Sequence, residues 1–137
     1  MSKSIRGILI LNNHLLLIKR IKKGNLYYVF PGGHLEEGES FKQACIREFK
    51  EETNLEIIPI KKVFVLEESQ RHTSIYYLCK IRSQAGKELP KLELIGEEKE
   101  KNGEKDYFEP VWMDLSELDN IILHPRRMIP IVKKSLE

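Results

Sequence analysis

The chain has 137 residues, about the size of one domain, and 41% of them are hydrophobic, which argues against disorder. Its 23 basic and 21 acidic side chains leave a formal charge of +2, which excludes a strongly basic nucleic-acid coat and an acidic tail protein. Cys45 and Cys79 lack the spacing of a disulfide framework or a zinc site, and every apolar run is too short to span a membrane. We therefore expect one cytoplasmic domain over residues 1–137, with no membrane partner and no stable nucleic-acid complex.

The first thirty residues predict three strands separated by turns. Runs of aliphatic and β-branched residues alternate with pairs that tolerate turns, such as Asn12-Asn13. The first two runs are close enough to form a hairpin. The third run stops at Pro31-Gly32-Gly33, and a loop is expected from there to Glu39. The predicted strands cover residues 5–11, 14–21 and 26–30.

A helix is predicted after this loop, from residue 41 to Thr53. Ser40 and Gln43 have the spacing of a capping box, which makes Ser40 the expected N-cap. Asn54 stands where a residue in the left-handed conformation commonly ends a helix.

The second half of the chain predicts three more strands, over residues 57–66, 73–81 and 108–113. Pro59 is expected at a sheet edge or a bulge, because proline cannot donate to the ladder. The charged stretch 97–106 reads as an exposed loop, and Asp114 begins a short helical turn. An amphipathic helix over 125–136 closes the chain. Strands mixed with two helices indicate an α/β or α+β domain.

Three carboxylates occupy an unusual position on the helix over 41–53. Glu48 and Glu52 are four residues apart and share the helical sector of Cys45, which should face the core, and Glu51 lies at its margin. Buried carboxylates need partners, and Arg47 can offset only part of this charge. A hard divalent cation would satisfy all three, and oxygen ligands favour Mg²⁺ or Mn²⁺.

The segment 33–55 resembles the Nudix hydrolase signature, G-x5-E-x7-R-E-U-x-E-E-x-G-U, where U is a bulky aliphatic residue. Phe49 departs from the pattern but stays apolar, and Asn54 replaces the second glycine with a residue that also tolerates left-handed backbone. The matching positions are Gly33, Glu39, Arg47, Glu48, Glu51, Glu52 and Leu55.

This resemblance implies an α/β/α sandwich with a mixed sheet between helices. It also implies a metal-dependent hydrolase that cleaves a diphosphate linkage in a nucleoside di- or triphosphate derivative by attack of water at phosphorus. A MutT-like role in clearing oxidised or surplus nucleotides is one option among several. The partner would be a small-molecule nucleotide, and a homodimer is an open alternative.

The resemblance also assigns roles to individual residues. Glu48 and Glu52 would be the principal metal ligands, Glu51 a third and the Gly32 carbonyl a backbone ligand, with Gly32 and Gly33 as the cofactor-binding glycines. Arg47 would pair with Glu39 and hold the loop against the helix. The general base would come from the loop over 97–106. Its candidates are Glu97, Glu98, Glu100 and Glu104, of which Glu98 is preferred.

Three alternatives compete with this reading. A phosphate-binding P-loop is rejected because Glu39 occupies the place of the essential lysine. A catalytically silent module that senses nucleotides would not need the full set of carboxylates. An isomerase on the same fold would act on a diphosphate ester without cleaving it, and the short chain does not favour it.

Overall fold

Alternating apolar residues build a mixed sheet in the computed structural model, which describes residues 2–82, 88–95 and 106–136. The elements in these ranges are eight strands, two α-helices and one 3₁₀-helix. The strands are β1 (Ser2–Leu11), β2 (His14–Lys22), β3 (Asn25–Val29), β4 (Gly32–His34), β5 (Ile57–Ser69), β6 (His72–Ile81), β7 (Asp106–Asp114) and β8 (Leu123–His124). The helices are α1 (Phe41–Thr53), α2 (Met128–Lys134) and a 3₁₀-helix (Leu115–Asn120).

The first strand organises the sheet. The strand order is β5-β6-β1-β2-β3-β8, with β4 paired to β1 and β7 paired to β2. β1 runs parallel to β6 and antiparallel to β2, so the sheet is mixed. Its contact with β2 is confined to the hairpin end, where Ile10 faces Leu15, whereas further back Ile5 faces Gly33 of β4. The strands β1 and β2 therefore diverge beside the glycines of β4.

Two hydrophobic cores lie on opposite faces of the sheet. One contains Cys45 and Phe49 of α1 with Ile5 and Leu9 of β1. The other contains the buried residues of α2 with Ile8, the residue of β1 just before Leu9. Successive strand residues point to opposite faces, so β1 contributes to both cores. The sheet thus separates the helices, which confirms the predicted α/β/α arrangement.

Local signals around α1 are confirmed. The Ser40 side chain accepts a hydrogen bond from the Gln43 N–H, and the Gln43 side chain accepts one from the Ser40 N–H. Asn54 ends the helix in the left-handed conformation, with φ of 62°. Pro59 lies on the edge strand β5 next to a register shift, as expected.

Two predicted boundaries are wrong. The loop expected from Gly33 begins instead with the short strand β4, because these glycines can lie directly against β1. The closing helix starts at Met128 rather than residue 125, since residues 125–127 form a turn in which Pro125 accepts from the Met128 N–H. Leu136 lies beyond α2 and is half exposed. No helix in the described ranges is both long enough and apolar enough to cross a membrane.

Candidate functional site

The site is built where α1 packs against the two glycines of β4. Gly32 has φ of +149°, and a Cβ placed there would lie 1.9 Å from the carbonyl oxygen of Ile5. Without a side chain, β4 can approach β1 closely. The Gly32 N–H donates a hydrogen bond of 2.7 Å to Glu52 Oε1, so this carboxylate is fixed against the strand.

Gly33 leaves room for the second carboxylate. A Cβ at this position would lie 2.6 Å from Glu48 Oε1, so the Glu48 side chain occupies the space that a larger residue would fill. Glu48 and Glu52 are only 8% and 9% exposed, which confirms that they belong to the inward face of α1. Glu51 lies at the margin, with 38% of its side chain exposed.

Arg47 joins the loop, the helix and the carboxylates. Its Nε and Nη2 donate to the two oxygens of Glu39 at 2.7 and 3.0 Å, a bidentate pair. Its Nη1 donates to Glu48 Oε1 at 2.9 Å and lies 3.4 Å from Glu51 Oε1. The hydrogen bond from Arg47 lowers the pKa of Glu39, and the same bond raises the pKa of Arg47. The predicted Arg47–Glu39 pairing is therefore present.

Acid should weaken the Arg47–Glu39 pair, because the pKa of Glu39 is lowered in the folded protein and protonation removes the charge that Arg47 binds. The contribution of the pair is fully present above the usual carboxyl pKa of 4.5 and is lost as pH falls through the lower value of the folded state. We expect the difference in free energy of unfolding between the unmodified protein and Glu39→Gln to shrink below that pH. Urea unfolding of both proteins at several pH values measures it, and a difference that stays constant with pH would contradict the expectation.

The carboxylates suit a divalent cation in chemical type and in position. Glu48 and Glu52 offer oxygen ligands beside the two glycines of β4, and the Gly32 carbonyl belongs to the same strand. Among the described residues, however, no three His, Cys, Asp or Glu side chains converge as a ligand set. Arg47 and the Gly32 N–H explain this, because they hold the carboxylate oxygens of Glu48 and Glu52. The residues therefore fit the ion in the chemistry of their oxygen donors.

A cavity of about 220 Å³ opens beside Glu52. The sequence did not predict most of the residues that line it. Arg20 could have been found, because it lies on the same face of β2 as the buried residues Leu16 and Ile18, and a charged side chain on that face is unusual. Arg6, also in the wall, donates to the Phe30 carbonyl oxygen at 2.9 Å. The lining residues are Arg6, Ile18, Arg20, Val29, Gly32, Glu52, Asp106 and Phe108.

Phe49 and Cys45 are two further residues of α1 that face the core. Phe49 is fully buried, and a Cβ at Gly7 would lie 2.2 Å from its ring, so glycine accommodates the aromatic residue at this position of the motif. Cys45 lies 3.6 Å, sulfur to sulfur, from Cys79. The hydrogen bond between the thiols, together with burial, raises the pKa of Cys45, which agrees with a packing role.

The general base is a predicted role that the described residues do not test. Glu97, Glu98, Glu100 and Glu104 lie outside the described residues, so their roles stay predictions. Only Asp106, at the end of the predicted loop, is described, and it begins β7.

Part of this chain is similar in sequence to two curated proteins. Segments of 55 residues are 40% identical to the uncharacterized Nudix hydrolase YvcI of Bacillus subtilis and 44% identical to an ADP-ribose pyrophosphatase of Methanocaldococcus jannaschii. They cover 39% and 38% of this chain, but only 34% and 31% of those proteins, about a third of their length.

Solved structures show the same fold. The MutT protein from Methanosarcina mazei Go1 superposes with a TM-score of 0.68 at 17% identity, covering 99% of this chain and 95% of that one. An ADP-ribose pyrophosphatase from Streptococcus suis gives 0.66 at 17% identity, with 99% and 92% covered. The NUDIX domain model matches residues 1–134. Since that match includes β4, α1 and every residue that lines the cavity, this chain belongs to the Nudix family.

Proposed function

We propose that the chain is a metal-dependent hydrolase that cleaves a diphosphate linkage in a nucleoside di- or triphosphate derivative. The observation that carries the proposal is the burial of Glu48 and Glu52 on one face of α1, against glycines that leave space for them. Burying two carboxylates four residues apart is unfavourable unless cations balance them. Arg47 balances part of this charge, and a divalent cation is the further partner that we propose.

In this proposal, Glu48, Glu52 and Glu51, with the Gly32 carbonyl, would hold Mg²⁺ or Mn²⁺. When bound, such an ion neutralises diphosphate oxygens and lowers the pKa of a bound water. Arg47 keeps the carboxylates in place by tying α1 to Glu39. The cavity beside Glu52 then admits the substrate, with Arg6 and Arg20 in its wall to meet negative charge. Glu98 remains the preferred general base.

Removing the metal should abolish turnover. We expect hydrolysis of at least one compound in a panel of ADP-ribose, nucleotide sugars, dinucleotides and nucleoside triphosphates when Mg²⁺ or Mn²⁺ is present. Chelation with EDTA should stop product release, and added Mg²⁺ should restore it. Chromatography of the products would also show which bond is cleaved.

Two results would contradict the proposal. Hydrolysis that continues unchanged in EDTA would remove the role of the metal. Nucleotide binding without any product, across the whole panel and with either ion, would favour the silent sensing module instead. Calorimetric titration with the same compounds separates that second case from a protein that does not bind nucleotides.

The cellular and quaternary assignments are also proposals. We infer a cytoplasmic protein that acts as a single domain over residues 1–137, takes a small-molecule nucleotide and forms no stable nucleic-acid complex. A homodimer remains open. Light scattering across a range of protein concentrations would determine the oligomeric state.

A further inference from the structure

A segment without regular secondary structure, residues 90–95, lies against the C-terminal end of α1, and we call it the strap. The Glu93 N–H donates a hydrogen bond of 3.1 Å to the Thr53 carbonyl oxygen. The Ile95 N–H donates one of 2.8 Å to the Glu51 carbonyl oxygen. The last four carbonyl groups of a helix have no partner within the helix, so the strap satisfies two of them. The strap therefore completes the last turn of α1.

Trp112 of β7 holds the other end of the strap. Its indole Nε1–H donates a hydrogen bond of 2.9 Å to the Pro90 carbonyl oxygen. Trp112 and Leu92 of the strap are both half-buried and pack against the core that contains Phe49. Because β7 belongs to the sheet, the indole ties the strap to the sheet at one end, while the strap is bonded to the helix at the other.

The last turn of α1 carries two of the proposed metal ligands. Glu52 is buried and accepts from the Gly32 N–H, whereas Glu51 is 38% exposed and lies at the margin of the site. Helix ends fray where their carbonyl groups lack partners, and a side chain moves with the backbone that carries it. The bond from Ile95 is made to the backbone of Glu51 itself, so docking of the strap limits the positions that this carboxylate can take.

We propose that the strap and the metal site are coupled. Docking of the strap on α1 raises the affinity of the site for a divalent cation, and the bound cation in turn holds the strap against α1. Trp112 is then a positioning residue, which acts on Glu51 and Glu52 through the strap. The inference rests on the proposed function, since it needs the metal site. It places one determinant of metal affinity outside the Nudix motif, because the strap and Trp112 both lie beyond residues 33–55.

The first test compares Trp112→Phe with the matched control Tyr107→Phe. Each variant keeps an aromatic ring on β7 and loses one hydrogen bond, which is made to Pro90 in the first case and to Glu109 Oε2 in the second. Calorimetric titration with Mn²⁺ alone should give a dissociation constant about three- to tenfold higher for Trp112→Phe, as expected for one lost hydrogen bond. For Tyr107→Phe it should stay within about twofold of the wild type.

A second variant cuts the strap at its other end. Ile95→Pro removes the N–H that bonds to the Glu51 carbonyl oxygen and leaves Trp112 in place. It should raise the dissociation constant for Mn²⁺ by a similar factor. Urea unfolding of each variant establishes that it folds, and Ile95→Pro carries the test if Trp112→Phe does not fold.

Hydrogen exchange tests the reverse direction in the unmodified protein. Coupling is reciprocal, so saturating Mn²⁺ should slow exchange of the strap amides of Glu93 and Ile95 by about the same three- to tenfold. The amides of the 3₁₀-helix (Leu115–Asn120), which packs in the other core, should respond less and serve as the internal control. Mass spectrometry of peptides that span the two segments provides the measurement.

Three outcomes would overturn the inference and leave the proposed metal site intact. They are a wild-type dissociation constant for Mn²⁺ in a folded strap variant, equal weakening in Trp112→Phe and Tyr107→Phe, and strap amides that respond to Mn²⁺ no more than those of the 3₁₀-helix. A wild-type protein that binds no Mn²⁺ is a different result, because it contradicts the proposed function itself and removes the inference with it.

Discussion

Replacing Glu52 with glutamine should lower kcat by about 100-fold or more while the fold persists. The amide oxygen can still accept the hydrogen bond that Gly32 N–H donates to Glu52 Oε1, so the contact between α1 and β4 survives. What is lost is the negative charge that would hold the divalent ion. Steady-state kinetics with Mg²⁺ on whichever compound the wild type cleaves provides the measurement, and circular dichroism with urea unfolding reports on the fold.

Glu56→Gln is the matched control for this variant. Glu56 is exposed just beyond α1, where its carboxylate lies 3.9 Å from the Lys50 ammonium. Its replacement removes the same charge without touching the buried face, so activity should stay near that of the wild type. Equal activity in the Glu52 and Glu56 variants would mean that Glu52 holds no metal, and the proposed mechanism would have to be abandoned.

Gly32→Ala should destabilise the protein by about 3 kcal/mol or more. An added Cβ would lie 1.9 Å from the backbone oxygen of Ile5, and φ of +149° is a conformation that other residues rarely adopt. The backbone atom cannot move aside as a flexible side chain would. The strand β4 would therefore have to separate from β1, and the hydrogen bond to Glu52 would be lost with it. Urea or thermal unfolding measures the change.

Gly24→Ala separates crowding from backbone strain. Gly24 also has positive φ, +81°, but no atom of the described residues lies within 4 Å of a Cβ placed there. Its replacement should cost only about 1 kcal/mol, from the strained backbone conformation alone. If both alanine variants lost the same stability, the close approach of β4 to β1 would contribute nothing beyond backbone strain.

Features encoded over a few adjacent residues could be predicted from the sequence. The capping box at Ser40, the left-handed Asn54 and the inward carboxylates Glu48 and Glu52 all follow from the period of one helix. The pairing of Arg47 with Glu39 was expected from the resemblance to the Nudix signature, because Glu39 lies just before the helix and the helical period does not place it.

The cavity could not be predicted in this way. Arg20 and Asp106 are 86 residues apart, and they meet only because β7 pairs with β2. The short strand β4 was also missed, because three residues carry too little periodicity to identify a strand. Its pairing depends on a contact with β1 across the fold.

Phe49 and Gly7 divide a single volume between the helix and the first strand, since a Cβ at position 7 would overlap the aromatic ring. Position 7 therefore cannot be enlarged while Phe49 is in place. A repacked version of the protein could accept alanine at position 7 only together with a smaller aliphatic residue at position 49, so the aromatic departure from the motif and the glycine of the first strand are coupled.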